Sequence, residues 1–165
     1  MIHPTCGEVL ATVAASFTRE IVPELTSIEA RSSAATIEHL LRHVMLRIEE
    51  EGEVLMRDVA RLDGLLSQAA DWLDESGSGA AGALRAVLAH ERADLWTLSR
   101  QGEEALRLRG ALVTVQGQLD ALAEDWSRDE GYRALRSAIG AYIGAQLMDE
   151  ARLIGPAFSG RGPRR

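Results

Sequence analysis

Apolar residues recur at spacings of three and four along nearly the whole chain, and stretches that alternate apolar with polar residues are almost absent. The first period belongs to a helix with one buried face and the second to a half-buried strand, so the pattern predicts an all-α protein. Thr5-Cys6-Gly7-Glu8 has the form of a capping box, in which the threonine oxygen and the glutamate satisfy free amides of a first turn. A helix should open there, carry Val9, Leu10, Val13, Phe17 and Ile21 on one side, and stop at Pro23, whose ring cannot continue the hydrogen-bond ladder. Thr26-Ser27-Ile28-Glu29 reads as a second box, leading into a stripe of Ala30, Ala34, Ile37, Leu41, Val44 and Ile48.

Beyond Gly52 the next stripe is Leu55, Val59, Leu62, Leu66, Ala69 and Leu73. It stays in phase with the one before at about 100° per residue, which permits one helix from about 27 to 75. Such a rod would be about 70 Å long at ~1.5 Å per residue, excessive for one small domain, so a break is expected at Gly52. Residues 76–82, Ser-Gly-Ser-Gly-Ala-Ala-Gly, read as a flexible linker. After it, Leu84, Leu88, Leu95 and Leu98 mark a fourth helix ending near Gly102. A fifth carries Ala105, Leu108, Leu112, Val115, Leu119, Leu122 and Trp126. Ser127-Arg128-Asp129-Glu130 reads as a third box, opening a last helix through Leu135, Ile139, Tyr142, Ile143 and Leu147 that Gly155-Pro156 should end. The expectation is a bundle of about six helices in one domain, 1–155. Its halves, 5–75 and 83–154, share one core, and a disordered tail follows over 156–165.

Composition narrows the function classes. The chain has 165 residues, 46% hydrophobic and 26% charged, which suits one globular domain and excludes a mainly disordered or membrane-embedded one. The net charge of −7 opposes a general attraction to nucleic acid or anionic lipid, and the one basic cluster is the tail Arg161, Arg164 and Arg165. All 18 basic residues are arginine, with no lysine or asparagine, which fits a GC-rich genome. A lone cysteine, no apolar run of ~20 residues and no export signal at the start of the sequence together suggest a cytoplasmic protein outside the membrane.

Candidate chemistry is sparse. His39 and His43 lie one helical turn apart, the spacing at which two imidazoles can share a metal ion, yet no further ligands are spaced to complete a site. They fall opposite the Ile37 stripe, beside Leu46, where surface or interface packing is the better reading. Gly77-x-Gly79-x-x-Gly82 matches the dinucleotide fingerprint by letter but follows a helix rather than a strand, so the phosphate-binding mechanism fails. Cys6 in a first helical turn, with His3 as the nearby base, is read as incidental. Trp72, Trp96 and Trp126 suit core or interface packing better than a ligand pocket. No catalytic constellation and no cofactor motif is found.

Pro4-Thr5, Glu8, Leu10, Phe17, Glu20, Val22-Pro23 and Leu25 resemble the opening of an uncharacterised bacterial family of small helical proteins. Arg31, Gly52 and Leu62-Asp63-Gly64-Leu65-Leu66 stand where that family has an arginine, a Gly-Pro break and a Leu-x-x-Leu-Leu stretch. The resemblance covers about 60 residues; the family's Gly-Pro is Gly52-Glu53 here, and an asparagine usual in its second helix is missing. Members are commonly encoded beside aminoglycoside-phosphotransferase-like kinases and acyl-CoA dehydrogenases. The resemblance therefore implies an accessory role beside a metabolic enzyme of the kinase or acyl-CoA type. The expected function is a non-catalytic binding or accessory protein. Its rival is a small helical enzyme or ligand carrier with a pocket near the tryptophans or near His39 and His43. A homodimer is expected as well, with Leu46, Gly140, Gly144 and Met148 supplying the contact.

Overall fold

The computed structural model describes residues 3–90 and 97–158. The architecture is an all-α bundle, with six α-helices and no strand among the described residues. They are α1 (Cys6–Ser16), α2 (Ile28–Glu75), α3 (Ala81–Leu88), α4 (Leu98–Ala121), α5 (Ala123–Trp126) and α6 (Glu130–Phe158). Leu95 and Trp96, and the basic tail residues, lie outside the described residues.

The helix starts follow local chemistry. Thr5 and Glu8 form the expected reciprocal cap of α1, with the Glu8 amide donating to Thr5 Oγ1 at 3.2 Å and the Thr5 amide to Glu8 Oε2 at 2.6 Å. At the second and third starts the cap lies further along than expected. Ser27, not Thr26, accepts from the Ala30 amide at 3.1 Å, and Asp129, not Ser127, accepts from the Tyr132 amide at 2.8 Å. Thr97 caps α4, accepting from the Arg100 amide at 3.3 Å. Pro23 acts earlier than expected. The α-helix ends at Ser16 and widens into a π-turn over Phe17–Ile21, and a 3-10 turn over Val22–Glu24 takes the proline at its start. A proline ring clashes with the carbonyl four residues before it, so the chain must leave α geometry upstream.

Two expected breaks are absent. Helix α2 runs through Gly52 without interruption for 48 residues, and α4 runs through Gly102. A single glycine costs a helix interior only about 1 kcal/mol, less than flanking leucines and glutamates and packing of the stripe can supply. The in-phase stripes on either side of Gly52 thus belong to one helix. Helix α6 likewise passes Gly155-Pro156 to Phe158, and the rest of the expected tail lies outside the described residues.

The expected linker, 76–82, opens on a hydrogen-bonded helix stop, and α3 already begins at Ala81. The Ser78 amide donates to the Leu73 carbonyl at 2.9 Å and the Gly77 amide to the Asp74 carbonyl at 3.0 Å, the two bonds of a Schellman cap. Gly77 has φ of 72°, in the left-handed region where an added side chain would be strained.

The chain divides into two compact units, Met1–Gly52 with Met148–Arg165, and Glu53–Leu147. The second holds the hydrophobic core. Leu62, Leu66 and Leu73 of α2, Leu108, Val115 and Leu119 of α4, and Leu135 of α6 are fully buried there, each worth roughly 1.5–3 kcal/mol of transfer free energy. Ala81 and Leu84 of α3 complete it. Trp72 meets Tyr132 while Asp58 meets Tyr142, so α2 and α6 run antiparallel; Arg109 meets Asp58 and Leu119 meets Tyr132, so α4 runs parallel to α2. The first unit is different. Among its described residues Ala34 is the one buried apolar side chain, joined by Asp149.

Candidate binding surfaces and buried polar groups

The histidine pair lies on the half-buried side of α2. His43 Nδ1 is 3.1 Å from the Leu153 carbonyl of α6, to which it donates, and His39 Nδ1 accepts from Arg42 Nη2 at 2.9 Å. Leu46, on the same side, is half-buried, and Arg152 bonds Glu50 at 3.2 Å nearby on these two helices. This part of α2 is therefore partly covered on both sides: of the expected stripe Ala34 is buried and Ala30 and Leu41 are half-buried, and the opposite side is half-buried as well. The side of His43 and Leu46 meets the end of α6, while Ile37, Val44 and Ile48 of the expected core stripe are exposed. Among the described residues no group of three or more His, Cys, Asp or Glu side chains could hold a metal ion.

Cys6 is exposed. His3, its candidate base, instead has Nδ1 at 3.5 Å from Glu8 Oε2, and the Glu8 carboxyl is held below its ordinary value chiefly by the Thr5 amide.

The tryptophans form a corner rather than a pocket. Trp72 packs edge-on against Trp126 and Tyr132, each with ring centroids 5.7 Å away, and its Nε1 donates to Asp129 Oδ1 at 3.1 Å. Asp129 thus serves both as the cap of α6 and as the indole's partner; the Tyr132 amide, then the indole, hold its carboxyl below the ordinary value. Gly131 lets this corner close. A Cβ there would lie 2.8 Å from Trp72 Cδ1, closer than any real contact. Trp72 is buried and Tyr132 donates its hydroxyl to the Leu119 carbonyl at 3.1 Å, so the cluster is closed by its own partners.

The sequence reading missed the buried polar groups Asp58, Gln101, Glu104 and Asp149, of which Asp58 joins three helices. Asp58, only 3% exposed, accepts from Arg109 Nε at 3.0 Å and Nη2 at 2.8 Å on one oxygen, and from the Tyr142 hydroxyl at 2.9 Å on the other. Burial, then the Asp58 charge, pushes the Tyr142 hydroxyl up to about 12. Burial would lower the Arg109 guanidinium, but Asp58 and Tyr142 outweigh it and leave its pKa raised. Both carboxylate oxygens are engaged, and the network ties α2, α4 and α6 at one level and fixes their register. The available signal was a carboxylate three residues after Leu55 and four before Leu62, on the apolar stripe itself. Its partners, 51 and 84 residues away, could not be read from spacing.

An apolar pocket of about 230 Å³ lies between α3 and α4, lined by Leu73, Ala83, Val87 and Ala111, with Thr114 and Gln118 among its polar members. Alanines at the facing positions leave the room. Neither tryptophan of the described residues lines it, nor do His39 and His43. Arg107 closes the nearby end of α3, donating Nη1 to the Val87 carbonyl at 2.8 Å while its other nitrogens pair with Glu104 at 2.8 and 2.7 Å.

Of the expected contact residues, Gly140, Gly144 and Met148 are exposed on α6, with no atom within 4 Å of a Cβ added at either glycine. No helix among the described residues is long and apolar enough to cross a membrane. Comparison with known proteins finds no matching family model, no matching curated protein and no matching solved structure.

Proposed function

We propose that this chain is a non-catalytic binding or accessory protein of the cytoplasm that works through apolar helix faces and self-associates as a homodimer. The supporting observation is the imbalance of the first unit. Among its described residues one apolar side chain, Ala34, is buried, whereas Val9, Val13, Ile21 and Ile28 are exposed together with Ile37, Val44 and Ile48 of α2. A helix is maintained in water mainly by packing of its apolar face, so such a unit favours a partner. Gly140, Gly144 and Met148 offer a second exposed strip where another backbone can approach closely, and Leu46 is the half-buried member of the expected set. The family resemblance of the N-terminal residues makes a metabolic enzyme of the kinase or acyl-CoA type the favoured class of further partner. Light scattering at micromolar concentration tests the dimer: a mass near the 17.9 kDa of one chain refutes it.

The α3–α4 pocket favours a second reading, a carrier of a small apolar ligand. A thermal-shift screen with acyl-CoA esters separates the two, because a ligand that enters the pocket raises Tm in proportion to its affinity.

A further inference from the structure

We infer that the exposed stripe of α2, Ile37, Leu40, Val44 and Ile48, is a helix-pairing seam whose occupant is the same stripe of a second copy, running antiparallel. The inference rests on the proposed homodimer and names its surface, a different one from the Gly140 and Gly144 strip. The four residues are 42, 52, 42 and 46% exposed although three of them belong to a stripe of alternating three- and four-residue steps. The four lie at steps of three, four and four, which places them on one face able to pack against another helix. Along the same helix the stripe continues in phase into Leu62, Leu66 and Leu73, which are fully covered. One helix therefore carries an apolar stripe that is covered over its C-terminal half, whereas in its N-terminal half Ala34 is buried, Leu41 half-buried, and Ile37, Val44 and Ile48 are open.

Area and charge select a second copy and its direction. The four side chains expose roughly 300 Å² of apolar surface, already the size of the largest patch on an ordinary monomer. Two copies would bury about twice that from these residues, and their flanks bring the pair toward the small end of specific interfaces at about 1,200 Å². The helix is charged asymmetrically. Glu49, Glu50 and Glu51 follow the seam directly and stay net negative although Glu51 pairs with Arg47 and Glu50 with Arg152, whereas 29–36 carry Glu29 and Arg31 and are net neutral. Parallel pairing in register would place the two acidic runs side by side. Antiparallel pairing centred between Leu41 and Val44 sets each run beside the uncharged Ala35 and Thr36 of the other copy, near Arg31, and opposes the two helix dipoles.

The test compares the wild-type chain with Val44→Asp by sedimentation and light scattering. The wild type should have twice the 17.9 kDa mass, and Val44→Asp should weaken the dimer by at least tenfold. Tryptophan fluorescence checks the core-bearing unit, which holds Trp72 and Trp126, and far-UV circular dichroism checks that the helix carrying position 44 in the first unit is kept. In a Cys6→Ser background, Val44→Cys should oxidise to a linked dimer. Ile48→Cys should not, since antiparallel pairing separates the two 48 positions by about 16 Å along the axis. Equal cross-linking at both positions overturns the antiparallel seam. A dimer that survives Val44→Asp but dissociates on Gly144→Leu overturns the seam and leaves the homodimer standing, whereas a monomeric wild type overturns both.

Discussion

Replacing Asp58 by alanine should cost about 3 kcal/mol, and the structure supplies the parts of that figure. The carboxylate is 3% exposed and receives two hydrogen bonds from Arg109 and one from Tyr142. Removing one member of a buried ion pair typically costs about 3–5 kcal/mol because the other charge is left without compensation. Here the lower end applies: the Arg109 side chain is 34% exposed and can turn to water, while the Tyr142 hydroxyl stays buried and forfeits about 1–3 kcal/mol of hydrogen bonding. Urea unfolding followed by tryptophan fluorescence measures the loss as a shift in midpoint at constant slope. The reasoning makes a second demand. A triple variant, Asp58→Leu with Arg109→Leu and Tyr142→Phe, should recover most of the loss, because well-packed apolar groups can replace a buried ionic network. A single-variant loss below about 1 kcal/mol, or a triple variant less stable than the single one, would refute the reading of this network as the clamp between α2, α4 and α6.

The Tyr142 hydroxyl also gives a pH signature. Its folded pKa of about 12 lies above the ordinary 10, so its contribution is complete below pH 10 and is lost as pH rises toward 12, by about 2 kcal/mol; Tyr142→Phe should abolish this extra slope relative to wild type in denaturation at pH 9 to 12. Gly131→Ala should destabilise by about 1–3 kcal/mol and shift the tryptophan emission, since the new methyl meets the Trp72 indole; an unchanged urea midpoint would contradict the close approach. Gly102→Ala should stabilise by about 0.5–1 kcal/mol, because the position is helical and an added Cβ meets nothing within 4 Å; thermal melting showing a loss would restore a break at Gly102.

The sequence by itself determined what is local. Helicity followed from the period of the apolar residues, and the cap of α1 followed from Thr5 and Glu8, because both depend on groups within a turn of each other. The core of the second unit was also legible: Leu62, Leu66, Leu108, Leu119 and Leu135 stood on the predicted stripes and are buried. Periodicity shows that a helix has an apolar face; it does not show whether anything covers that face. Ile37, Val44 and Ile48 have the same spacing as Leu62, Leu66 and Leu73, yet only the latter are buried, and the half-buried side of α2 near residue 43 is instead the one that meets Leu153 of α6. Only the tertiary structure decided this, since cover comes from residues about 100 positions away. The Asp58 network was hidden for the same reason. A carboxylate on an apolar stripe signals an anomaly, but its resolution by Arg109 and Tyr142 depends on how three helices are aligned in space. At Gly52 a local rule was overruled in the other direction: glycine disfavours a helix by about 1 kcal/mol, and the packed stripe that continues beyond it supplies more than that.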